Sequence, residues 1–335
     1  MNVTHPPGLR GVAVIGTSAG GVEVLRRLVG ALPTDLPIAV CVVLHIPATS
    51  RSVLAAIVAR STSACVLTAA DGMRPEAGHI YVAPPDRHLI VRRDRLELDA
   101  GPRENSVRPA IDPLFRSAAA AFGANSVAIV LSGALSDGAA GAAAVAQAGG
   151  TVLVQDPEDA LVPSMPEAAL QAVPAAVTAD ATALAGLVAG FARTLEELEE
   201  EEVMAADQEH TPVELSRRRP SGPPSVFTCP ECHGPLWEVS DREPSRYRCR
   251  VGHAYHEDHL VAEKSTEVEA ALWAALEALE ERAELLAKVA HRLDAAGDDE
   301  SARGYLESVA ATRQRAQVLR GVLLTSADAP ETVAG

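Results

Sequence analysis

Residues 11–26, GVAVIGTSAGGVEVLR, constrain the fold more than any other stretch of the chain. Val12 to Ile15 is a short apolar run suited to a buried strand, and Val22, Leu25, Leu28 and Val29 follow at helical spacing. Between them stand Gly16, Thr17, Ser18, Ala19, Gly20 and Gly21. The pattern predicts strand, sharp turn, helix. In a G-x-S-x-G turn of this kind the serine hydroxyl is thrust out at the carboxyl end of a sheet. The following helix aims free backbone N–H groups at the same place, which suits a developing oxyanion. A nucleotide cradle fits less well. Ser18 sits where the second glycine of G-x-G-x-x-G belongs, and no lysine follows as in a P-loop. The next apolar run, Ile38 to Leu44, ends in His45 rather than an acid.

Short apolar runs alternate with helical patterns onward from there. Ser52 to Ala59 reads as helix, and Thr68 to Leu98 as an antiparallel hairpin region laid on the main sheet, with extended pieces at 79–83, 88–91 and 95–98. Asp112 to Phe122 reads as helix, Val127 to Leu131 as strand, Ala139 to Ala148 as helix, Thr151 to Val154 as strand, Met165 to Gln171 as helix and Ala175 to Val177 as strand. Repeated strand-helix alternation predicts an α/β fold with a doubly wound, mainly parallel sheet, whose ligands bind at the carboxyl ends of the strands. Ser18, His45 and Asp137 all fall at such ends. They supply nucleophile, base and orienting carboxylate in the order Ser, His, Asp, which differs from the Ser, Asp, His order of α/β-hydrolases. An aspartate in an S-D-G turn is also a common helix cap.

Several separate motifs then resemble the catalytic domain of the CheB-type protein-glutamate methylesterases of bacterial chemotaxis. They are GTSAGG at 16–21, LHIP at 44–47, ADG at 70–72, GHIYVAPPDRHL at 78–89, VRPAIDPLF at 107–115, SGALSDGAAG at 132–141, QAGG at 147–150 and SMPEAA at 164–169. The family's serine, histidine and aspartate fall on Ser18, His45 and Asp137. The resemblance implies hydrolysis of glutamate methyl esters on chemoreceptor-like helical proteins, with glutamine deamidation in some members, and no cofactor for catalysis. A methyltransferase or a separate response regulator are the further partners it suggests. Backbone N–H groups at Ala19, Gly133 and Ala134 are the candidate oxyanion donors, and Arg108 a candidate cleft residue, with a salt bridge to Asp112 or a helix cap as its plainer reading. The family often has threonine at the position of Ala19 and Met-Gly at Ala134-Leu135. Its familiar architecture begins with a receiver domain, and only about ten residues precede the first strand here, so a receiver-less form is expected. His79 and His88 read as hairpin and surface residues, Cys41 and Cys65 as core.

The chemistry changes after residue 195. Residues 196–225 form an acidic, proline-rich linker, and 226–257 a zinc-binding module. Cys229-Pro-Glu-Cys232, then Cys249 and His253, give three thiolates and one imidazole at the spacing of a closed tetrahedral zinc site; His256 and His259 are alternatives to His253. Three of the five cysteines being used this way suits a reducing, cytoplasmic compartment better than disulfides. From 258 to 325, leucine and alanine recur at spacings of three and four, broken at Gly297, which predicts a helical hairpin or half of a coiled-coil dimer. Residues 1–10 and 326–335 read as tails, and 11–195 as the catalytic domain. The net charge of -16 argues against nucleic-acid binding, and no apolar run suggests membrane insertion. A second reading keeps the fold without the chemistry: a signalling adaptor that docks partners through its zinc and helical parts, or an esterase with another substrate.

Overall fold

Six consecutive buried residues, Val12–Thr17, form β1, and only a strand covered on both faces tolerates that run. A computed structural model describes residues 9–49, 53–197, 224–239 and 246–327. After β1 come α1 (Gly21–Ala31), β2 (Ala39–Leu44), α2 (Leu54–Ala59), β3 (Cys65–Thr68) and β4 (His79–Val82). The hairpin β5 (His88–Val91) and β6 (Leu96–Asp99) leads to α3 (Ile111–Phe122), β7 (Ser126–Val130) and α4 (Ala139–Gln147). Then follow β8 (Thr151–Gln155), α5 (Ser164–Ala172), β9 (Val177–Ala179) and α6 (Ala181–Glu197).

The main sheet has the order β3-β4-β2-β1-β7-β8-β9, and every pair in it is parallel. The chain grows from β1 towards β2, then returns to lay β7 on the other side. The reversal falls between β1 and β7, the point where a doubly wound sheet opens a crevice at its carboxyl edge. Alternate β1 residues serve opposite cores. Val12 and Val14 pack with α3, α4 and α5, whereas Ala13 and Ile15 pack with α1 and α6. The doubly wound sheet with an antiparallel hairpin is therefore as expected from the sequence.

Four local expectations are corrected. His79–Val82 is not part of the hairpin but an inner parallel strand; the segment between β3 and β4 carries the chain back along the sheet before β4 starts. Only β5 and β6 pair antiparallel in this region. The last strand begins at Val177 rather than Ala175. Cys65 is exposed on edge strand β3, whereas Cys41 is buried as expected and its thiol is pushed up to about 12 by burial. His88 is not a surface residue. It is buried, accepts the Ala110 N–H at Nδ1 (3.2 Å) and donates from Nε2 to the Pro102 carbonyl at 3.0 Å.

A second, four-stranded antiparallel sheet follows, with β10 (Pro224–Thr228), β11 (Pro235–Val239), β12 (Arg246–Cys249) and β13 (Ala254–His256) in that order. Its core is small: Cys229, Leu236, Tyr247, Cys249, Tyr255 and Leu260. Chain contacts divide the protein into two compact units, one up to Leu260 and one from Val261, so this ribbon belongs with the main sheet. The second unit is made by α7 (Glu257–Ala295), from Val261 onward, and α8 (Asp299–Ala327). Leu276, Ala316 and Leu323 meet across the seam, with Arg320 paired to Glu280, so the two helices form the hairpin alternative. Gly297, at φ +80, makes the turn between them. Of the expected linker at 196–225, residues 198–223 lie outside the described residues, and its ends belong instead to α6, which runs to Glu197, and to β10, which starts at Pro224. Of the expected tails at 1–10 and 326–335, residues 1–8 and 328–335 lie outside them, and α8 runs on to Ala327. Among the described residues no helix is long and apolar enough to cross a membrane.

Candidate active site

Ser18 follows directly on β1, where the chain must turn within three residues, Ser18 to Gly20, into α1. Gly20 makes that turn at φ +75, a conformation that costs a glycine nothing. The Ser18 N–H donates to the Ser132 carbonyl at 2.9 Å, tying this turn to the one after β7. Gly133 lies against Ser18. A Cβ there would stand 2.9 Å from the Ser18 Cβ and collide with the Met165 sulfur, so no side chain fits beside the hydroxyl.

His45 follows β2, and its N–H donates to the Thr17 carbonyl at 3.2 Å, extending the β1–β2 register by one residue. Its Nε2 donates to Asp137 Oδ2 at 2.7 Å. An ionised carboxylate only accepts, so the ring proton sits on Nε2. Nδ1, 3.1 Å from Ser18 Oγ, is left as the proton acceptor. The imidazole thus presents Nδ1 to the serine, the reverse of the usual serine-protease ring orientation. Either nitrogen performs the task once the other is fixed.

Asp137 is fully buried and held at all points. Oδ2 also accepts the Ile111 N–H at 2.6 Å, and Oδ1 accepts the Asp112 N–H at 3.2 Å and Asn105 Nδ2 at 2.9 Å. The carboxylate therefore sits on the N-terminus of α3, where free N–H groups and the helix dipole favour negative charge. Burial opposes its ionisation, but the hydrogen bond from His45 and those from the α3 N-terminus hold its pKa below the ordinary carboxylate range. Sequence reading left helix capping as an alternative for this residue. It caps a helix other than the one it precedes while also holding His45.

Among the candidate oxyanion donors, the Gly133 N–H is committed to the Val162 carbonyl at 3.0 Å, which removes it as a donor and leaves it a spacing role. The Ala19 and Ala134 N–H groups have no hydrogen-bond partner among the described residues, and both residues are exposed at the mouth of the site. Arg108 does not pair with Asp112. Its guanidinium holds Asp86 Oδ1 and the carbonyls of Ala100 and Gly101, bracing the loop after β6.

Asp112 is instead matched by a residue from the ribbon. His256 Nε2 donates to Asp112 Oδ2 at 2.8 Å, with both side chains buried. Beside them Glu104 receives Arg116 and Arg246 at 2.7 and 2.8 Å. Ser136, in the loop after β7, donates to Asp258 Oδ1 at 2.7 Å. Sequence reading missed Asn105, His256 and Asp258 as neighbours of the site. Asn105 and His256 lie 151 positions apart, and no spacing rule links them.

Asp112, Glu104 and Asp137 predict how the protein responds to acid. Burial raises each carboxyl pKa, yet their cationic and N–H partners outweigh it, and all three lie below their ordinary values. The unfolded chain then binds more protons than the folded one once pH falls to about 4, the ordinary carboxyl range. Stability is complete above that range and is lost progressively as pH drops through the folded-state values. Calorimetry should show the unfolding midpoint falling steeply between pH 5 and pH 3, with a shallower fall in Asp112→Asn. Equal midpoints at both ends would contradict this electrostatic account.

One ligand atom from each of Cys229, Cys232, Cys249 and His253 lies within 4.8 Å of the others. His253 Nδ1 is 3.6 Å from Cys229 Sγ and 3.4 Å from Cys249 Sγ. Ligands on one tetrahedral zinc stand about 3.5–3.8 Å apart, given metal bonds of about 2.0–2.3 Å, so the donors fit that ion. His253 Nε2 lies 3.3 Å from Glu231, the partner that fixes a metal-binding tautomer. His256 and His259 are engaged with Asp112 and Asp258, which leaves His253 as the fourth donor.

Three comparisons bear on this arrangement. The CheB methylesterase family model matches residues 13–188. A relative from Xanthomonas oryzae pv. oryzae, named protein-glutamate methylesterase/protein-glutamine glutaminase 2, is 41% identical over 162 residues, 47% of this chain and 45% of the relative. A Leptospira interrogans protein, named putative protein-glutamate methylesterase/protein-glutamine glutaminase, is 35% identical over 160 residues, 48% of this chain and 83% of the relative. The crystal structure of the Thermotoga maritima CheB methylesterase catalytic domain superposes with a TM-score of 0.53 at 30% identity, covering 55% of this chain and 99% of that one. This chain spans less than half the length of the Xanthomonas relative. With a family model matched over more than half its residues and the family's sheet, the chain belongs to the CheB methylesterase family.

Proposed function

We propose that this protein hydrolyses glutamate methyl esters on methylated, chemoreceptor-like helical proteins, with Ser18, His45 and Asp137 as a catalytic triad. The observation that carries the reading is the hydrogen-bonded line from Ser18 Oγ through His45 to Asp137 at the switch point of the sheet. Ser18 Oγ attacks the ester carbonyl carbon while its proton passes to His45 Nδ1. The oxyanion formed faces the N–H groups of Ala19 and Ala134. Collapse of the intermediate breaks the bond to the methoxy oxygen, His45 returns the proton to it, and methanol leaves. Water then attacks the glutamyl ester of Ser18 with His45 again as base, giving glutamate and free serine. A glutamine amide enters the same sequence and releases ammonia, an activity that the relatives' names include.

Residues 11–195 carry this chemistry, 226–257 hold one structural zinc on Cys229, Cys232, Cys249 and His253, and 258–325 form the helical hairpin. The four protein ligands close the zinc's coordination, so the metal stabilises the ribbon and takes no part in the hydrolysis. Free thiolates in that role suit the cytoplasm. The adaptor reading is weaker, because nucleophile, base and orienting carboxylate are all present and hydrogen bonded.

The test is methanol release from a methyl-esterified helical receptor fragment, beside hydrolysis of a small activated ester. The reading expects both, with the receptor fragment favoured in kcat/KM. Hydrolysis of the small ester alone would mean an esterase with another substrate. Hydrolysis of neither would leave the adaptor.

A further inference from the structure

Asn105 connects the metal-ligand ribbon to the candidate triad. It is buried and sits at φ +51, a left-handed conformation that asparagine adopts more readily than most residues. Its backbone N–H and both ends of its side-chain amide are used. Its backbone N–H donates to the Ala254 carbonyl at 2.8 Å, next in sequence to the metal-ligand candidate His253. Its Oδ1 accepts the His256 N–H at 3.0 Å. Its Nδ2 donates to Asp137 Oδ1 at 2.9 Å and lies 3.5 Å from Asp112 Oδ2. β13 thus holds both ends of the asparagine, and the asparagine holds the carboxylate that orients His45.

We propose that Asn105 is a positioning residue for Asp137, and that the metal-bound ribbon keeps it in place, so that metal occupancy sets the geometry of the triad without the metal touching substrate. This rests on the proposed triad. Without the Asn105 amide, Asp137 Oδ1 keeps only the longer bond from the Asp112 N–H. Oδ2 still accepts the Ile111 N–H, but with one side of Oδ1 released the carboxylate is held less firmly against rotation about its Cβ–Cγ bond, and Oδ2 shifts from the line to His45 Nε2. Misplacement of about 1 Å in such a constellation costs about a hundredfold in rate. The pair His256–Asp112 supports the same joint from the other side, because it fixes β13 against the first turn of α3.

The test uses the full chain, a fluorophosphonate probe that labels the nucleophilic serine, and methanol release. Four proteins are compared: wild type, Ser18→Ala, Asn105→Ala and Asn105→Asp. Asn105→Asp is isosteric, so packing is kept while the donor becomes an acceptor facing Asp137. Both Asn105 variants should bind one metal and unfold cooperatively. Their kcat should fall about 10–100-fold with KM within about twofold of wild type, and probe labelling should slow by the same factor. Stripping the metal from wild type with a chelator should slow labelling to a similar extent. Stripping it from Asn105→Ala should add little, because the two changes act through one joint. If Asn105→Ala does not fold, Asn105→Asp and the stripped wild type carry the comparison.

A folded Asn105 variant with wild-type kcat and labelling would overturn the positioning role. Full labelling of metal-free wild type would overturn the link to the metal. Ser18→Ala separates these failures from failure of the triad itself, since retained turnover in that variant would remove the reading on which the proposal stands.

Discussion

Replacing His45 by alanine should lower turnover of the methyl ester by about a thousandfold or more, and adding Ser18→Ala should cost little further. The reason lies in the line of contacts. Ser18 Oγ meets one ring nitrogen of His45 at 3.1 Å, and Asp137 meets the other at 2.7 Å. A serine hydroxyl at neutral pH is a poor nucleophile unless its proton has somewhere to go. Once His45 is gone, Ser18 has no proton acceptor and the second substitution removes a group already idle. Asp137→Asn should cost less than His45→Ala, because Ser18, the imidazole and the oxyanion donors remain, although the ring loses its fixed tautomer. Steady-state methanol release by the single and double variants checks this. Losses that multiplied across Ser18 and His45 would contradict a triad acting as one unit.

The second large effect concerns the metal. Cys229→Ser should prevent zinc binding and abolish cooperative structure in β10–β13. The ribbon's own core is a handful of side chains around Cys229, Leu236, Tyr255 and Leu260, too few to fold a four-stranded sheet by apolar burial alone. Zinc in such a site supplies about 10–16 kcal/mol of apparent folding free energy at neutral pH. The substituted serine also leaves the Tyr255 hydroxyl without the thiolate now 3.5 Å away. Metal analysis should find near one zinc per wild-type chain and almost none in the variant, and hydrogen exchange should show β10–β13 losing protection. Unchanged metal content in Cys229→Ser would remove Cys229 from the ligand set.

Much of this was legible in the sequence where physics is local. The apolar run Val12–Ile15 followed by a glycine turn marks β1, and the place of Ser18 at its end follows from the turn alone. Of Val22, Leu25, Leu28 and Val29, the apolar residues at helical spacing in α1, the last three are buried and Val22, in the first turn, is exposed. The meeting of Cys229, Cys232, Cys249 and His253 was legible because two close-spaced donor pairs, C-x-x-C and C-x-x-x-H, suit one tetrahedral ion. Residues 79–82 were misread because a short half-polar strand gives no sign of whether its neighbour runs parallel or antiparallel. That depends on where the preceding loop delivers the chain. Cys65 was misread because an edge strand leaves apolar-looking residues in water. His88 looked like a surface residue because its two hydrogen-bond partners, the Pro102 carbonyl and the Ala110 N–H, lie more than ten positions downstream. The joint at Asn105 was invisible for a stronger reason. Its meaning comes from β13 meeting the loop before α3, a contact that follows from tertiary packing and not from any periodicity.

The central claim is that Ser18 forms a covalent ester with the glutamyl group during turnover. Its most direct test is intact and peptide mass spectrometry of enzyme quenched in acid while hydrolysing a methyl-esterified receptor peptide. The account predicts a peptide spanning residues 11–26 carrying the mass of the substrate less methanol, with the adduct on Ser18 and none in Ser18→Ala, which should also release no methanol above background. Methanol release by Ser18→Ala at the wild-type rate, with no adduct on Ser18 in wild type, would contradict it.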